Sequence, residues 1–368
     1  MNLSDFDYNL PPERIAQWPL EERDASRMLL LDRHSGVYED RTFREFPDLL
    51  RGDELVVINN ARVLPARLWG HRKGIHAQPL GRNSPIRDEN LSSKIEILLL
   101  KACGPDEWEA LVRPGRKIPV GEMIYFGEGE LQAQVVSRAD FGVRRLKFSG
   151  TEQLTAAIEK LGHIPLPPYI KREDSPIDRE RYQTMFARQG TAVAAPTAGL
   201  HFTPAIISRL RQRGIEIAEI TLNVGLGTFE PIRTERLEDH RIHTESYEIC
   251  EAAAAAIDRA RAERRPVLAI GTTVVRCLED AAEKQAAHGP ADGNLVIKAG
   301  RAEAEIFLLP GKPFRVVNQL LTNFHLPRSS LLALVATFAG RENILSAYQH
   351  AVESEYRFYS YGDCMWIR

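Results

Sequence analysis

The sequence predicts an α/β protein with a small inserted β-barrel or sandwich, and three observations lead there. Short apolar runs near the N-terminus and again beyond residue 200 alternate with amphipathic helical patterns. Between residues 95 and 150 the pattern changes to five short runs, IEILLL, EWEALV, EMIYF, LQAQVV and VRRLKF, separated by Gly and Pro turns. Three times, finally, a strand or loop ends in small polar residues beside a side chain suited to catalysis, and a helix follows. That repetition points to one crevice along one edge of an α/β sheet.

A chain of 368 residues accommodates about two domains. With 43% hydrophobic and 27% charged residues it is globular in composition. The start, MNLSDFDYNLPPERIAQ, has neither a basic nor an apolar leader segment, and the longest apolar run, Leu331 to Ala336, is too short to cross a bilayer. The expected location is the cytoplasm, with no membrane partner. Cys103, Cys250, Cys277 and Cys364 lie far apart without a C-x-x-C pair, as expected of reduced thiols and not of a zinc ribbon or disulfide framework. The net charge of −2 hides an asymmetry. Residues 62–150 hold 15 Lys and Arg against 10 Asp and Glu, a basic module that can meet a phosphate backbone while the rest of the chain stays acidic.

In chain order, MLLLDR and ELVVINN read as buried strands with a turn at His34-Ser35-Gly36 between them. The second delivers Asn59 and Arg62 at its carboxyl end, where ligands gather in open sheets. Residues 71–94 form a long polar loop with five Lys and Arg against two acids. In the inserted module, Arg113, Arg116 and Lys117 put three cations on one turn, suited to phosphate contact. TEQLTAAIEKLG is an amphipathic helix ended by Gly162, and IPLPPYIKR is a proline-stiffened linker. AAPTAGLHFT, residues 194–203, packs Thr197, Gly199, His201, Phe202 and the capping residue Thr203 ahead of Pro204, so a small-residue loop leads into a helix N-terminus. IEIAEITLNVG is a strand running into the glycine loop GLGTFEPIR, with Gly227, Thr228 and Phe229. HRIHTE offers His240, His243 and Glu245. Its H-x-x-H lacks the spacing of a zincin helix and no cysteine supports it, so an acid–base cluster is expected there and no metal. EAAAAAIDRARAERR reads as an exposed scaffold helix. PVLAIGTTVVRCLEDAAEKQ is a βα unit whose Gly271-Thr272-Thr273 turn opens a helix carrying Arg276 and Glu279, a place for a carboxylate or ribose hydroxyl. LLTNFHLPRSSLLALVATFAG brings Asn323, Phe324 and His325 to a helix capped by Ser329 or Ser330, and YRFYSYGD is an aromatic strand or loop.

Taken together, LPPERIAQWP (10–19), INNARVLPARL (58–68), PLPPYIKR (165–172), RYQTMFA (181–187), AAPTAGLHFT (194–203), VGLGTFEPIR (224–233), HRIHTE (240–245), AIGTTVVRCLE (269–279), LLTNFHLPRSSLL (320–332) and YRFYSYGD (356–363) resemble the S-adenosylmethionine:tRNA ribosyltransferase-isomerase (QueA) family over nearly the whole chain. The resemblance implies a three-layer α/β/α main domain, 1–61 and 151–368, with an inserted small antiparallel β-barrel domain at 62–150. It also implies an activity: the ribosyl group of S-adenosylmethionine is transferred to 7-aminomethyl-7-deazaguanine at the wobble position of tRNA, giving epoxyqueuosine and releasing adenine and methionine. S-adenosylmethionine would then be a consumed co-substrate and not a cofactor. A catalytically idle tRNA-binding protein on the same scaffold is the alternative, and a monomer or weak dimer the expected assembly. A generic methyltransferase lacks support, because no strand–G-x-G–helix unit with an acidic partner is evident. Three positions depart from the family pattern: Asn223 where histidine is usual, Ala304 where threonine is, and Asn318 where aspartate is.

Such a reaction needs a base beside the sulfonium, an acid for departing adenine, a neutral amine and a closed pocket. His201, His240, His243 and His325 are the candidate bases, unranked by sequence, with His201 expected at the reacting ribose or amine. Glu245 or Glu279 would serve as the acid if burial raises its pKa. Phe202, Phe229 and Phe324 are candidates for cation–π contact with the sulfonium.

Overall fold

The computed structural model describes residues 1–72, 94–115, 118–139, 142–225, 232, 234–240, 242–288 and 295–368. In chain order its elements are β1 (Arg27–Leu31), β2 (Tyr38–Thr42), α1 (Phe46–Leu49), β3 (Leu55–Asn59), β4 (Ala61–Val63), β5 (Arg67–His71), β6 (Ile95–Ala102), β7 (Glu107–Arg113), β8 (Met123–Phe126), β9 (Leu131–Arg138), β10 (Val143–Ser149), α2 (Leu154–Leu161), α3 (Pro176–Arg181), β11 (Gln189–Ala192), α4 (Pro204–Gln212), β12 (Glu216–Leu222), β13 (Glu245–Ile249), α5 (Glu251–Ala262), β14 (Val267–Ile270), α6 (Thr272–His288), β15 (Gly300–Ala304), β16 (Gln319–Asn323), α7 (Ser330–Ala339), α8 (Arg341–Glu353) and β17 (Cys364–Ile367). They pack as two units, one of Met1–Arg62, Pro167–Glu173 and Glu180–Arg368, the other of Val63–Leu166 and Asp174–Arg179.

The larger unit is built on a nine-stranded sheet in the order β15-β13-β12-β3-β14-β16-β17-β1-β2. Its interior strand β3, LVVIN, is buried throughout, as a strand covered on both faces must be. Successive side chains point to opposite faces. Leu55 and Val57 enter the apolar layer shared with α5, α6, α7 and α8, while Val56 and Ile58 enter the layer shared with α1 and α4. The result is the α/β/α sandwich. The alanine-rich helix α5, expected to be exposed scaffold, buries Ala253, Ala254, Ala256, Ile257 and Ala260 against the sheet. Small side chains at helical spacing let the helix sit close to the strands.

Strands β12, β3, β14 and β16 are mutually parallel. Leu222, Asn59, Ile270 and Asn323 therefore end on one edge of the sheet. β17, which the sequence reading did not identify, inserts between β16 and β1, antiparallel to the first and parallel to the second. YRFYSYGD is the loop that leads into it. The buried carboxylate of Asp363 closes that loop, accepting from the amides of Arg27 (2.9 Å) and Arg357 (2.8 Å).

The smaller unit is a closed six-stranded barrel, β10-β7-β6-β5-β8-β9, antiparallel throughout. Five of its strands are the runs read from the sequence. The sixth, RLWGH, precedes the long loop and closes the barrel by pairing with both β6 and β8. Closure removes the edges that a five-stranded sheet would leave unpaired. Helix α2 belongs to this unit, since Ile158 is buried in the barrel's apolar cluster with Leu154, Ala157 and Leu161 packed against it. The boundary thus lies beyond the expected residue 150, because the apolar stripe of α2 matches the barrel.

Candidate active site

A cleft of about 670 Å³ opens at the carboxyl ends of β14 and β16. Its walls come from all three strand-to-helix junctions: 194–198 ahead of α4, Gly271-Thr272-Thr273 at the start of α6, and 322–331 leading into α7. Gly271 has φ +95°, a conformation that glycine adopts without strain, and it turns the chain from β14 directly into α6. The first amides of this 17-residue helix, partial positive charges, meet the cleft together with two threonine hydroxyls. Ser329 caps α7, accepting from Leu332 N (3.2 Å).

His325 is the one expected catalytic residue that lines this cleft. Its Nε2 lies 2.8 Å from Thr322 Oγ1, which can pass its own proton to the carbonyl of Asn323 (3.3 Å). We assign the Nε2–H tautomer on that network, leaving the lone pair on Nδ1. Burial lowers the His325 pKa to about 3, so the ring is neutral at pH 7. Its main chain is fixed by Tyr348, which accepts from the His325 amide (3.0 Å), and by Tyr8, which donates to its carbonyl (2.5 Å).

Asn323, in the same wall, donates from Nδ2 to the carbonyls of Tyr359 (3.1 Å) and Asp363 (3.4 Å), which sets its amide orientation. Its Oδ1 is buried without a hydrogen-bond partner. A buried acceptor without a partner costs free energy. Tyr169 and Tyr359 stack with centroids 4.4 Å apart and an interplanar angle of 20°, and both line the cleft. Tyr359 holds φ +71° and its hydroxyl is buried and unpartnered. Tyr169 donates to or accepts from Ser360 Oγ (2.7 Å). These two tyrosines were not among the expected site residues. The linker PLPPYIKR and the aromatic run YRFYSYGD contain them, but neither segment reveals that they meet.

Several expected site residues do not line this cleft. His201 turns away from the cleft: its Nδ1 lies 2.7 Å from Ser26 Oγ and its Nε2 3.3 Å from Asn323 Nδ2. Burial first, then the charges of Arg23 and Arg357, lower its pKa to about 3. It is a neutral imidazole beside Asn323, and it is not among the residues that line this cleft, where it was expected to meet the reacting ribose or amine. Glu279, expected as an acid, accepts from three consecutive amides, Arg315, Val316 and Val317, and so orders that segment. Glu245 is held by Arg276 in a buried ion pair and accepts from Gly225 N (3.0 Å). That pair and His243 line a neighbouring recess of about 400 Å³ which shares Leu331 with the cleft. Arg276 also donates to the carbonyls of His243 (3.1 Å) and Ala304 (3.2 Å). The ion pair and the Gly225 amide hold the Glu245 carboxylate in place.

Asn59 is fully used within the sheet, accepting from Ala61 N and Leu222 N and donating to Leu222 O and Thr273 Oγ1. Phe202 belongs to the core with Phe43, Phe46 and Phe186, whereas Phe324 is both core and cleft wall. Thr203 caps α4, accepting from Ile206 N, and Gly199 packs on Thr184, so of that group Thr197 alone lines the cleft. His240 packs edge-on to Phe307, and Arg62 is exposed on β4. Arg113 is exposed on the barrel, 3.8 Å from Glu96. Gly227, Thr228, Phe229, Arg116, Lys117 and loop residues 73–93 lie outside the described residues. Among the described residues no group of three or more His, Cys, Asp or Glu is placed to hold a metal, and no helix is long and apolar enough to cross a membrane.

The three departures have local explanations. Asn223 is not in the cleft wall and donates to Ser246 Oγ (3.2 Å) on the sheet face. Ala304 is fully buried and offers its carbonyl to Arg276. Asn318 accepts from Val267 N (2.8 Å) through Oδ1, a role an aspartate oxygen would also fill.

Residues 3–367 match the family of queuosine biosynthesis proteins. Two relatives named S-adenosylmethionine:tRNA ribosyltransferase-isomerase are similar over the full length of both chains, that of Solibacter usitatus at 53% identity and that of Moorella thermoacetica at 50%. The crystal structure of S-adenosylmethionine tRNA ribosyltransferase from Thermotoga maritima is 33% identical, with a TM-score of 0.52, covering 99% of this chain and 100% of that one.

Proposed function

The chain belongs to the family of queuosine biosynthesis proteins, and from that premise we propose that its cleft carries out the S-adenosylmethionine:tRNA ribosyltransferase-isomerase reaction. The ribosyl moiety of S-adenosylmethionine is transferred and isomerised onto 7-aminomethyl-7-deazaguanine at the tRNA wobble position, yielding epoxyqueuosine, adenine and methionine. S-adenosylmethionine is consumed as a co-substrate. The enzyme works in the cytoplasm, as a monomer or weak dimer.

One observation carries the assignment of roles: His325, a neutral ring, lines a cleft together with the start of α6, Thr197, Thr322, Asn323, Ser329 and Ser360. Within this reading His325 Nδ1 takes the proton from the carbon beside the sulfonium. The ring is neutral at pH 7, so no prior deprotonation is needed, and ligand closure that strengthens its basicity would favour the transfer. Asn323 Oδ1 accepts from a substrate N–H or hydroxyl. Thr272, Thr273 and the amides of α6 receive a ribose hydroxyl or the carboxylate. Thr197 and Gly271 form the wall opposite, and Tyr169 stacked on Tyr359 presents an aromatic surface to a nucleobase. His243, Glu245 and Arg276 hold the adjoining recess in shape. Arg113 on the barrel, with Arg116 and Lys117 beyond it in sequence, meets tRNA phosphates.

Incubation with S-adenosylmethionine and tRNA bearing the deazaguanine tests this. Adenine and methionine should appear in equal amounts. S-adenosylhomocysteine would mean methyl transfer, and no product would mean an idle binder.

A further inference from the structure

Ser360 lines both the main cleft and a second recess of about 300 Å³, whose other walls include Arg23, Ser26, Arg181, His201 and Tyr361. The two arginines there are held by main-chain carbonyls. Arg23 donates to the carbonyls of Gln183 (2.7 Å), Leu200 (3.4 Å) and Glu180 (2.9 Å), and Arg181 to those of Glu21 (3.0 Å) and Leu20 (2.6 Å). Neither has a carboxylate within ion-pair distance among the described residues. Arg213 and Arg357 likewise donate to main-chain carbonyls, whereas Arg14, Arg27, Arg44, Arg209, Arg265 and Arg276 each have a carboxylate.

Carbonyls orient a guanidinium but leave its charge uncompensated, and each arginine has five N–H donors. Arg181 keeps a buried, unpartnered Nε, and the neighbouring Arg357 a buried, unpartnered Nη1. The local field is felt by the groups around it. Burial and then Arg181 lower the Arg23 pKa against a smaller opposing effect of Glu180, and Arg23 and Arg357 both act against protonation of His201. The recess therefore collects positive charge beside a wall of the reaction cleft, and no carboxylate is among its lining residues.

The geometry points to an oxyanion subsite here: Arg23 and Arg181 take a phosphodiester of the RNA strand whose modified base enters the cleft past Ser360. This rests on the reading of the cleft as the site of tRNA modification. The carboxylate of S-adenosylmethionine is the other source of such an oxyanion, and the test separates the two.

Arg181→Gln and Arg181→Lys are compared with wild type for equilibrium binding of the anticodon stem-loop RNA across a salt series, and for the KM of each substrate. Arg181→Gln should weaken RNA binding about tenfold at low salt and reduce the log–log salt slope by roughly 0.7–0.9, one phosphate contact. Arg181→Lys should recover most of both, and the KM for S-adenosylmethionine should move less than twofold. If Arg181→Gln does not fold, Leu20→Asp places a carboxylate in the same recess and should weaken RNA binding likewise. A raised KM for S-adenosylmethionine with unaltered RNA binding would overturn the phosphodiester assignment in favour of the carboxylate. Unaltered values for both substrates would remove the subsite altogether. Adenine release by wild type is followed in parallel, so a failure of the activity is seen separately from a failure of the subsite.

Discussion

Replacing Arg276 by methionine removes the partner of a carboxylate that has almost no access to water. In the pair the side chains of Arg276 and Glu245 are 7% and 2% exposed, and the guanidinium also satisfies two backbone carbonyls, those of His243 and Ala304. Without it the Glu245 charge keeps the Gly225 amide, and the carbonyl of Ala304, in a strand that pairs with β13, loses a donor. Breaking one side of such a pair costs about 3–5 kcal/mol. Because the chain has two units, a single unfolding midpoint would mix their transitions, so hydrogen exchange is the better assay. Amides of β13 and β15 should exchange roughly two to three decades faster in Arg276→Met than in wild type. Adding Glu245→Gln removes the stranded charge while retaining an acceptor for Gly225, and should restore at least a decade of protection. Acceleration below tenfold in the single variant, or further acceleration in the double variant, would refute the view that this pair fastens the end of the sheet.

His325→Ala should lower kcat by about 10²–10⁴, as for loss of a general base, whereas His201→Ala should lower it less than tenfold while reducing stability by about 1–3 kcal/mol through the groups it leaves unpaired. Single-turnover kinetics and urea titration measure the two. Both histidines have folded pKa values near 3 against an unfolded value of about 6.5. The unfolded chain therefore binds more protons between those limits, and stability present above pH 6.5 is lost as pH falls, by up to about 1.4 kcal/mol per pH unit per histidine. Burial raises the pKa of Glu279 and Asp363, which opposes this loss at acid pH, so the pH dependence that disappears in His201→Asn is the clean measure. Gly199→Ala would put a methyl group 2.8 Å from Thr184 Cγ2, and should cost about 1–3 kcal/mol of local stability, read by hydrogen exchange.

The convergence of three junctions was legible because each lies at the start of a helix, and two of them follow parallel strands whose apolar runs mark them as buried. What a side chain faces was less legible. His201 sits in a five-residue 3₁₀ turn, Thr197–His201, where a small rotation decides between the cleft and Ser26, and the loop sequence carries no period that fixes it. The burial that raises the pKa of Glu279 was not legible, because the amides that hold its carboxylate, Arg315, Val316 and Val317, come from far along the chain. The barrel's sixth strand was hidden for a similar reason. RLWGH is short, and the strands it pairs with lie beyond a long polar loop. Tyr169 and Tyr359 meet only through tertiary packing, so neither segment alone discloses an aromatic wall.

The central claim is that the loop before α4, the turn into α6 and the segment leading to α7 form one site for S-adenosylmethionine. Hydrogen exchange of wild type with and without S-adenosylmethionine tests it most directly. Binding should protect peptides spanning 194–198, 271–275 and 322–331 together, with no matching change around 237–249. Protection confined to one of the three, or centred on 237–249, would contradict it.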